Sequence, residues 1–342
     1  MRLNFFISIT IVVALFSCKG EVDQSSTEAN NPKDSVELAK TIDFESINTE
    51  LKSDPNNPAL YLKRARIYQK YNEIGFAIED IDRAIKIDSL LPEYYLLKAE
   101  LQKKEGWYAD AKRTLDKCLL IDNGNVQARI ELGWIAFIIQ NHSQAIEYAD
   151  AALKIDVYNA EAYYLKGMIF YEQNDTSKAI SSFITATEQE ANYYEAYIQL
   201  GLLHLNQSTK LAKDYFKNAL RIQPKSSEAL YNYGYACQMR GEYAEAVETY
   251  QKMIAIQPFR EPYFNLGFIH QEYFGKYPEA IEFYTKAVNM SPLYYAAFYN
   301  RGLCYEKVGN RTLAEADFRK TLSINSDYDY AAIALERILK KK

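Results

Sequence analysis

The chain has 342 residues and a formal net charge of −5, with 48% apolar and 25% charged residues. That balance can fill a continuous core and excludes a mostly disordered chain, while the acidic charge excludes a broadly basic nucleic-acid footprint, so no nucleic-acid partner is expected. Tyrosine is abundant, at 30 residues; its apolar ring and polar tip suit helix packing and binding surfaces alike.

Residues 1–18 predict a targeting signal. Arg2 supplies a positive start and Phe5 to Phe16 a short apolar run, well under the roughly 20 residues a spanning helix needs. The run ends in Leu15-Phe16-Ser17-Cys18, which resembles the lipobox of bacterial lipoproteins. The resemblance implies that Cys18 becomes the first mature residue and carries lipid, each buried methylene adding about 0.8 kcal/mol of anchoring. Phe16 departs from the small residue usual at its place, and an ordinary signal peptide or tail anchor with an incidental Cys is the alternative. Lys19 rather than Asp follows the Cys. By analogy with enterobacterial sorting this implies a cell-envelope protein on the outer membrane, periplasmic or surface-exposed. Lys19-Gly20-Glu21-Val22-Asp23 faintly resembles Bacteroidetes surface-export signals. Residues 19–34 are polar and aperiodic and predict a flexible tether.

Within 35–57, a stretch from about Asp43 to Lys52 predicts a lone capping helix closed by Asp54-Pro55. From 58 to 328 the chain keeps time. Ala77, Ala111, Ala145, Ala179, Ala212, Ala246, Ala280 and Ala314 recur every 34 residues, with one step of 33 between Ala179 and Ala212. A second register of small residues precedes each: Ala65, Ala99, Gly133, Gly167, Gly201, Gly234, Gly267 and Gly302. A fixed period of this length means stacked supersecondary repeats. In the repeat from Ser227, Leu230, Tyr233, Gly234 and Cys237 share one helical stripe, a turn follows at Arg240-Gly241-Glu242, and Ala246, Tyr250, Met253 and Ile254 form a second stripe before Pro258. Two antiparallel amphipathic helices with a short connection are predicted.

These residues resemble the tetratricopeptide repeat, whose pattern is W-x2-L-G-x2-Y, then A-x3-F-x2-A, then P. The resemblance covers eight repeats, starting near Pro58, Pro92, Val126, Ala160, Tyr194, Ser227, Arg260 and Tyr295. Gly201 to Ala212 is one residue short and Gly267 to Ala280 one long, both edits falling near turns. The expected architecture is an all-α solenoid of about eight helix-turn-helix repeats with terminal capping helices. The last cap is residues 329–342, a helix from Tyr330 headed by Asp329 and ending in three lysines, a favourable C-terminus.

No nucleophile elbow, phosphate loop or CxxC is present, and neither a cofactor nor a metal is expected; the chain reads as a non-enzyme. His142, His204 and His270 fall at packing or turn positions in three different repeats. Cys118, Cys237 and Cys304 fall on buried stripes too far apart to pair, so free thiols are expected. Asn141, Asn174, Asn206 and Asn310 head Asn-x-Ser/Thr triplets, and Asp34-Ser35-Val36 resembles a Bacteroidetes O-glycosylation acceptor. Glu93, Glu161, Glu195, Glu228 and Glu261 recur near the start of each first helix; this suits the helix dipole and also edges any groove with negative charge.

In the family this chain resembles, the first helices line the inner wall. Repeat positions 5, 9 and 12 share one face by their spacing. They hold Ile130, Trp134, Phe137, Tyr164, Met168, Tyr171, Ile198, Leu202, Leu205, Tyr231, Tyr235, Phe264, Phe268, Tyr299 and Leu303. An apolar strip of this length marks a partner site unless the protein closes on itself or self-associates. Position 6 adds Asn232, Asn265 and Asn300, resembling the asparagine ladders that hold an extended peptide in some superhelices of this family. The expected role is a lipid-anchored adaptor binding a protein or peptide segment in envelope assembly or secretion. A structural subunit with a permanently filled groove is the alternative.

Overall fold

The computed structural model describes residues 32–340, in which every regular element is a helix. Cys18, residues 1–18, the tether as far as 31, and residues 341–342 lie outside the described residues. The described chain falls into two compact bodies, one ending at Ile87 and one starting at Asp88.

The first body holds α1 (Pro32–Ser53), α2 (Pro58–Lys70) and α3 (Ile74–Ile87). Helix α1 starts well before Asp43 and takes in residues 32–34 of the expected tether. Pro32 suits a first helical turn, and neither Gly nor Pro interrupts the chain until Pro55. Asn57 caps α2 through the Ala59 N–H, with Pro58 at its first position. Ile47 and Leu51 of α1 are buried with Tyr61, Ala65, Ala77 and Ile81, and Phe44 packs on Tyr68 with ring centroids 4.7 Å apart. The Arg64 guanidinium donates to both Asp80 oxygens at 2.7 Å and to Asn48 Oδ1 at 2.8 Å.

The second body holds seven helix pairs and a closing helix. The first helices are α4 (Pro92–Lys104), α6 (Val126–Ile138), α8 (Ala160–Glu172), α10 (Tyr194–His204), α12 (Ser227–Met239), α14 (Arg260–Glu272) and α16 (Tyr295–Lys307). The second helices are α5 (Tyr108–Ile121), α7 (His142–Leu153), α9 (Thr176–Gln189), α11 (Thr209–Ile222), α13 (Tyr243–Ile256), α15 (Tyr277–Met290) and α17 (Arg311–Ile324), and α18 (Asp329–Lys340) closes the stack. All eight expected repeat starts coincide with the first residue of a helix. Within this body each helix packs on the next, and successive first helices also touch in the pairs α4–α6, α6–α8, α10–α12 and α14–α16. The first helices thus form one layer of this body.

Three local rules build the repeat. All eight timing alanines have no exposed surface, because the paired helices cross there. Where the position four residues after the timing alanine is aromatic, the small register is glycine. A Cβ on Gly167, Gly201, Gly234, Gly267 or Gly302 would lie 2.3–2.8 Å from the ring of Phe183, Phe216, Tyr250, Tyr284 or Phe318. Where the smaller Ile81 and Leu115 take the ring's place, the register holds Ala65 and Ala99, all four buried. The third rule is a left-handed residue between the paired helices: Asn72, Gly106, Gln140, Asn174, Gly241, Gly275 and Gly309 all have φ between 60° and 83°. The repeat starting at Tyr194 lacks it, which is where its missing residue went: α10 has 11 residues against 13 in its neighbours, and Ser208 before α11 has φ −152°.

Asn125, Asn159 and Ser226 cap first helices, while Asn141, Asp175 and Asn310 cap second ones. Two of the Asn-x-Ser/Thr triplets are therefore headed by N-caps, and Asn174 is the left-handed turn residue of a third. At the far end Ala331, Ala334 and Ile338 of α18 are buried, covering the last pair as expected, with α18 starting one residue earlier than Tyr330.

Candidate functional site

The first-helix layer places the expected stripe along one face of the second body, but its rings are not idle. Tyr164 packs on the core ring of Phe183 (5.4 Å between centroids) and on Tyr193 (5.1 Å). Phe264 repeats this with Tyr284 (5.6 Å) and Tyr294 (5.1 Å), and Tyr299 with Phe318 (6.0 Å) and Tyr328 (5.1 Å). Tyr231 lies 6.2 Å from Tyr250 and stacks on Tyr235 with planes 2° apart. Trp134 meets Phe137 and Tyr164, and Phe268 meets Tyr273 edge-on. Met168 packs against the Phe183 cluster.

These side chains are half-buried, so the stripe serves core packing as well as the surface. The aromatic side chains at position 5 reach down to the core ring of their own repeat while staying partly accessible. Ile130 and Ile198 are fully core. Tyr171, at 48% exposure, and Leu202, at 37%, face solvent.

The asparagine row does not stand as one accessible ladder. Asn232 is 5% exposed, Asn265 donates to the Tyr250 hydroxyl at 3.1 Å, and Asn300 donates to the Ala296 carbonyl of its own helix at 2.8 Å. Asn232 shares its helix face with the fully buried Ala229 and Ala236, three residues before it and four after it.

Tyr193, Tyr294 and Tyr328 are the members that sequence reasoning missed. Each stands immediately before a first helix or its closing equivalent, and the doublets Tyr193-Tyr194 and Tyr294-Tyr295 are their signal in the chain. The position-2 glutamates share this ground. Trp134 donates its Nε1–H to Glu161 at 3.0 Å, and the Tyr194 hydroxyl bonds Ser226 at 2.6 Å and donates to Glu228 at 3.3 Å. Burial, reinforced by Glu195, pushes the Tyr164 hydroxyl up to about 12. Burial and then Glu161 raise Tyr193, and burial and then Glu261 raise Tyr294. These phenols stay neutral donors at any physiological pH.

The other chemically capable side chains are spent on structure. His142 bonds Glu172 at 2.9 Å, His204 stacks on Tyr215, and His270 Nδ1 lies 2.8 Å from the Leu266 carbonyl. Cys118, Cys237 and Cys304 are free and buried, and burial pushes their thiols up to about 11, 11 and 12. Cys237, Glu242 and Glu245 bring ligand atoms within 4.8 Å of one another. The Lys213 ammonium already bridges the two carboxylates, at 2.6 and 2.7 Å. Its charge stands where a metal ion's would, so the cluster is a satisfied ion-pair group.

Three family models, each described as tetratricopeptide repeat, match residues 92–125 and 160–193, 215–248, and 268–330. The chain is 26% identical over 145 residues to human protein O-mannosyl-transferase, a stretch covering 40% of this chain and 16% of that protein. It is 24% identical over 210 residues to human tetratricopeptide repeat protein 6, covering 60% of this chain and 40% of that one. The chain therefore spans less than half the length of these relatives. The C-terminal part of a tetratricopeptide repeat-containing protein from Cytophaga hutchinsonii superposes with a TM-score of 0.59 at 16% identity, over 70% of this chain and 99% of that one, a likeness of fold. With the repeat starts, the timing alanines and the buried glycine–ring pairs in place, this chain belongs to the tetratricopeptide repeat family.

Proposed function

We propose that this protein is a non-catalytic scaffold that holds a protein or peptide segment on the first-helix face of its second body. The observation that supports this most directly is the run of half-exposed aromatic side chains from Trp134 to Tyr299, anchored by core rings beneath. Rings held this way give up little conformational freedom when a partner covers them, which is how interface anchors gain their effect. Trp134, Phe137, Tyr164, Met168, Tyr171, Tyr231, Tyr235, Phe264, Phe268 and Tyr299 form that surface. Asn232, Asn265 and Asn300 act by bracing it, with at most the free side of Asn265 and Asn300 left for a partner's backbone.

The same reading places the scaffold in the cell envelope, held at the outer membrane by lipid on Cys18, where it would serve envelope assembly or secretion. Among the described residues no helix is long and apolar enough to cross a membrane; in this reading attachment rests on lipid at Cys18. Two measurements test this. Crosslinked capture from intact cells, with the crosslinked sites mapped, is expected to join the partner to α8–α14 and to fail for Tyr235→Ala plus Phe268→Ala. Unchanged capture by that variant sinks the binding face. Cys18→Ala is expected to abolish fatty-acid labelling and release the protein from membranes; retention sinks the anchor.

A further inference from the structure

Glu161, Glu195 and Glu228 stand at the second position of three successive first helices, α8, α10 and α12. Two of them accept hydrogen bonds from neutral donors: Glu161 from Gln127 and Trp134, and Glu228 from Tyr194. No Lys or Arg among the described residues pairs with any of the three. From α6 to α14 the first helices carry seven carboxylates and three cations, and the cations are engaged. Arg129 bonds Asn125 and Asn123, Lys166 bonds Asp150, and Arg260 bonds Glu261.

The helix dipole favours a Glu in the first turn, but the fold does not require one. Helices α2, α6 and α16 form with no acidic residue there. The dipole also gives no reason for the missing counter-charges.

One repeat shows what a counter-charge would look like. The Arg260 guanidinium sits 5.2 Å over the Tyr294 ring while its Nε–H donates to Glu261 at 2.7 Å. Three repeats earlier the same positions hold Glu161 and Tyr193, and the place of Arg260 is taken by Ala160. The Tyr193 hydroxyl lies in the field of Glu161 as the Tyr294 hydroxyl lies in that of Glu261. The carboxylate and the ring are present; the cation is not.

We propose that the occupant of this face is an extended basic segment of a partner protein, whose Lys or Arg side chains lie over Tyr193 and its neighbours beside Glu161, Glu195 and Glu228. This rests on the proposed binding face and adds the chemistry of what binds there. A cation over an aromatic face with a carboxylate at its edge gains from both. The aliphatic stem of a Lys or Arg packs on the ring while its charged head stays at the glutamates.

The test uses the full chain and three labelled peptides of one length: alternating Lys and Leu, the same with Gln for Lys, and the same with Glu for Lys. Fluorescence anisotropy reads binding across a salt series. The basic peptide is expected to bind about tenfold more tightly than the neutral one, to weaken as salt rises, and to lose its advantage in the triple variant Glu161→Gln, Glu195→Gln, Glu228→Gln. Equal or tighter binding of the neutral or acidic peptide overturns the proposal, as does no binding of the basic peptide, or a preference that survives in the triple variant. If all three peptides bind alike and Tyr235→Ala plus Phe268→Ala abolishes this, the face stands and its charge selection falls. If the basic peptide binds equally well to that aromatic variant, the face itself is wrong. The peptides are compared on the unaltered protein, so the first two readouts do not depend on any variant folding.

Discussion

Gly201 and Phe216 claim one volume: a Cβ on Gly201 would lie 2.3 Å from Phe216 Cε1. Phe216 has no exposed surface, so its ring has nowhere to retreat. A glycine inside a helix costs about 1 kcal/mol relative to alanine. The repeat accepts that cost because an aromatic ring fills the seam between its helices.

Gly201→Ala is therefore expected to destabilise the protein by about 1–3 kcal/mol through overpacking, despite the better helix propensity of Ala. Phe216→Leu in the same chain should recover part of that loss. A double-mutant cycle on urea unfolding reads the coupling. Additive effects would show that the glycine is present for some other reason.

Gln140 sits at φ 63° in a turn where Gly106 and Gly241 sit at φ 77°. A side chain in that region costs roughly 1–2 kcal/mol, partly offset by the extra freedom Gly brings to the unfolded chain. Gln140→Gly is expected to raise the thermal midpoint slightly, and Gly106→Ala to lower it. Shifts of the opposite sign at both sites would contradict the turn assignment.

Lys213 holds Glu242 and Glu245 below the ordinary Glu value of 4.5, mainly by its hydrogen bonds. A carboxylate whose folded value is depressed contributes stability above the unfolded value, and that contribution is lost as pH falls through the folded one. The stability gap between the native chain and Lys213→Met should thus be full at neutral pH and close progressively below about pH 4.5. Urea midpoints measured from pH 7 to pH 3 check this. A gap independent of pH would mean that Lys213 acts by packing alone.

Arg301 and Asp317 form a forked pair at 2.8 Å with both side chains largely buried. Asp317→Ala strands a buried guanidinium and is expected to cost about 3–5 kcal/mol, whereas Arg301→Met with Asp317→Leu should cost much less. Circular dichroism with urea reads both. Equal losses would place the value of the pair in the charges rather than in the penalty for breaking it.

The repeat was legible because its constraints are local and recur. Ala77 through Ala314 mark helix crossings that admit no larger side chain, and helix boundaries follow within a residue once the period is known. The extra length of α1 was not legible, since a helix that is mostly polar there, with Leu38 and Ile42 exposed, looks like tether in the sequence. The stripe from Trp134 to Tyr299 was legible as a face, but whether a ring at position 5 serves the core or the solvent depends on how deep the neighbouring helix sits. Periodicity along one chain carries no depth.

The sequence by itself determined the all-helical repeat, its eight starts, the free thiols and the structural histidines, because each follows from spacing within about 34 residues. Only the tertiary structure decided which glycine answers which ring, that Asn232 and Asn265 are turned inward, and that Tyr193 and Tyr294 join the aromatic face. It also decided that Glu161, Glu195 and Glu228 meet no cation. Those outcomes depend on side chains on different helices, about half a repeat or more apart in sequence, meeting across a packed seam, which no single helix encodes.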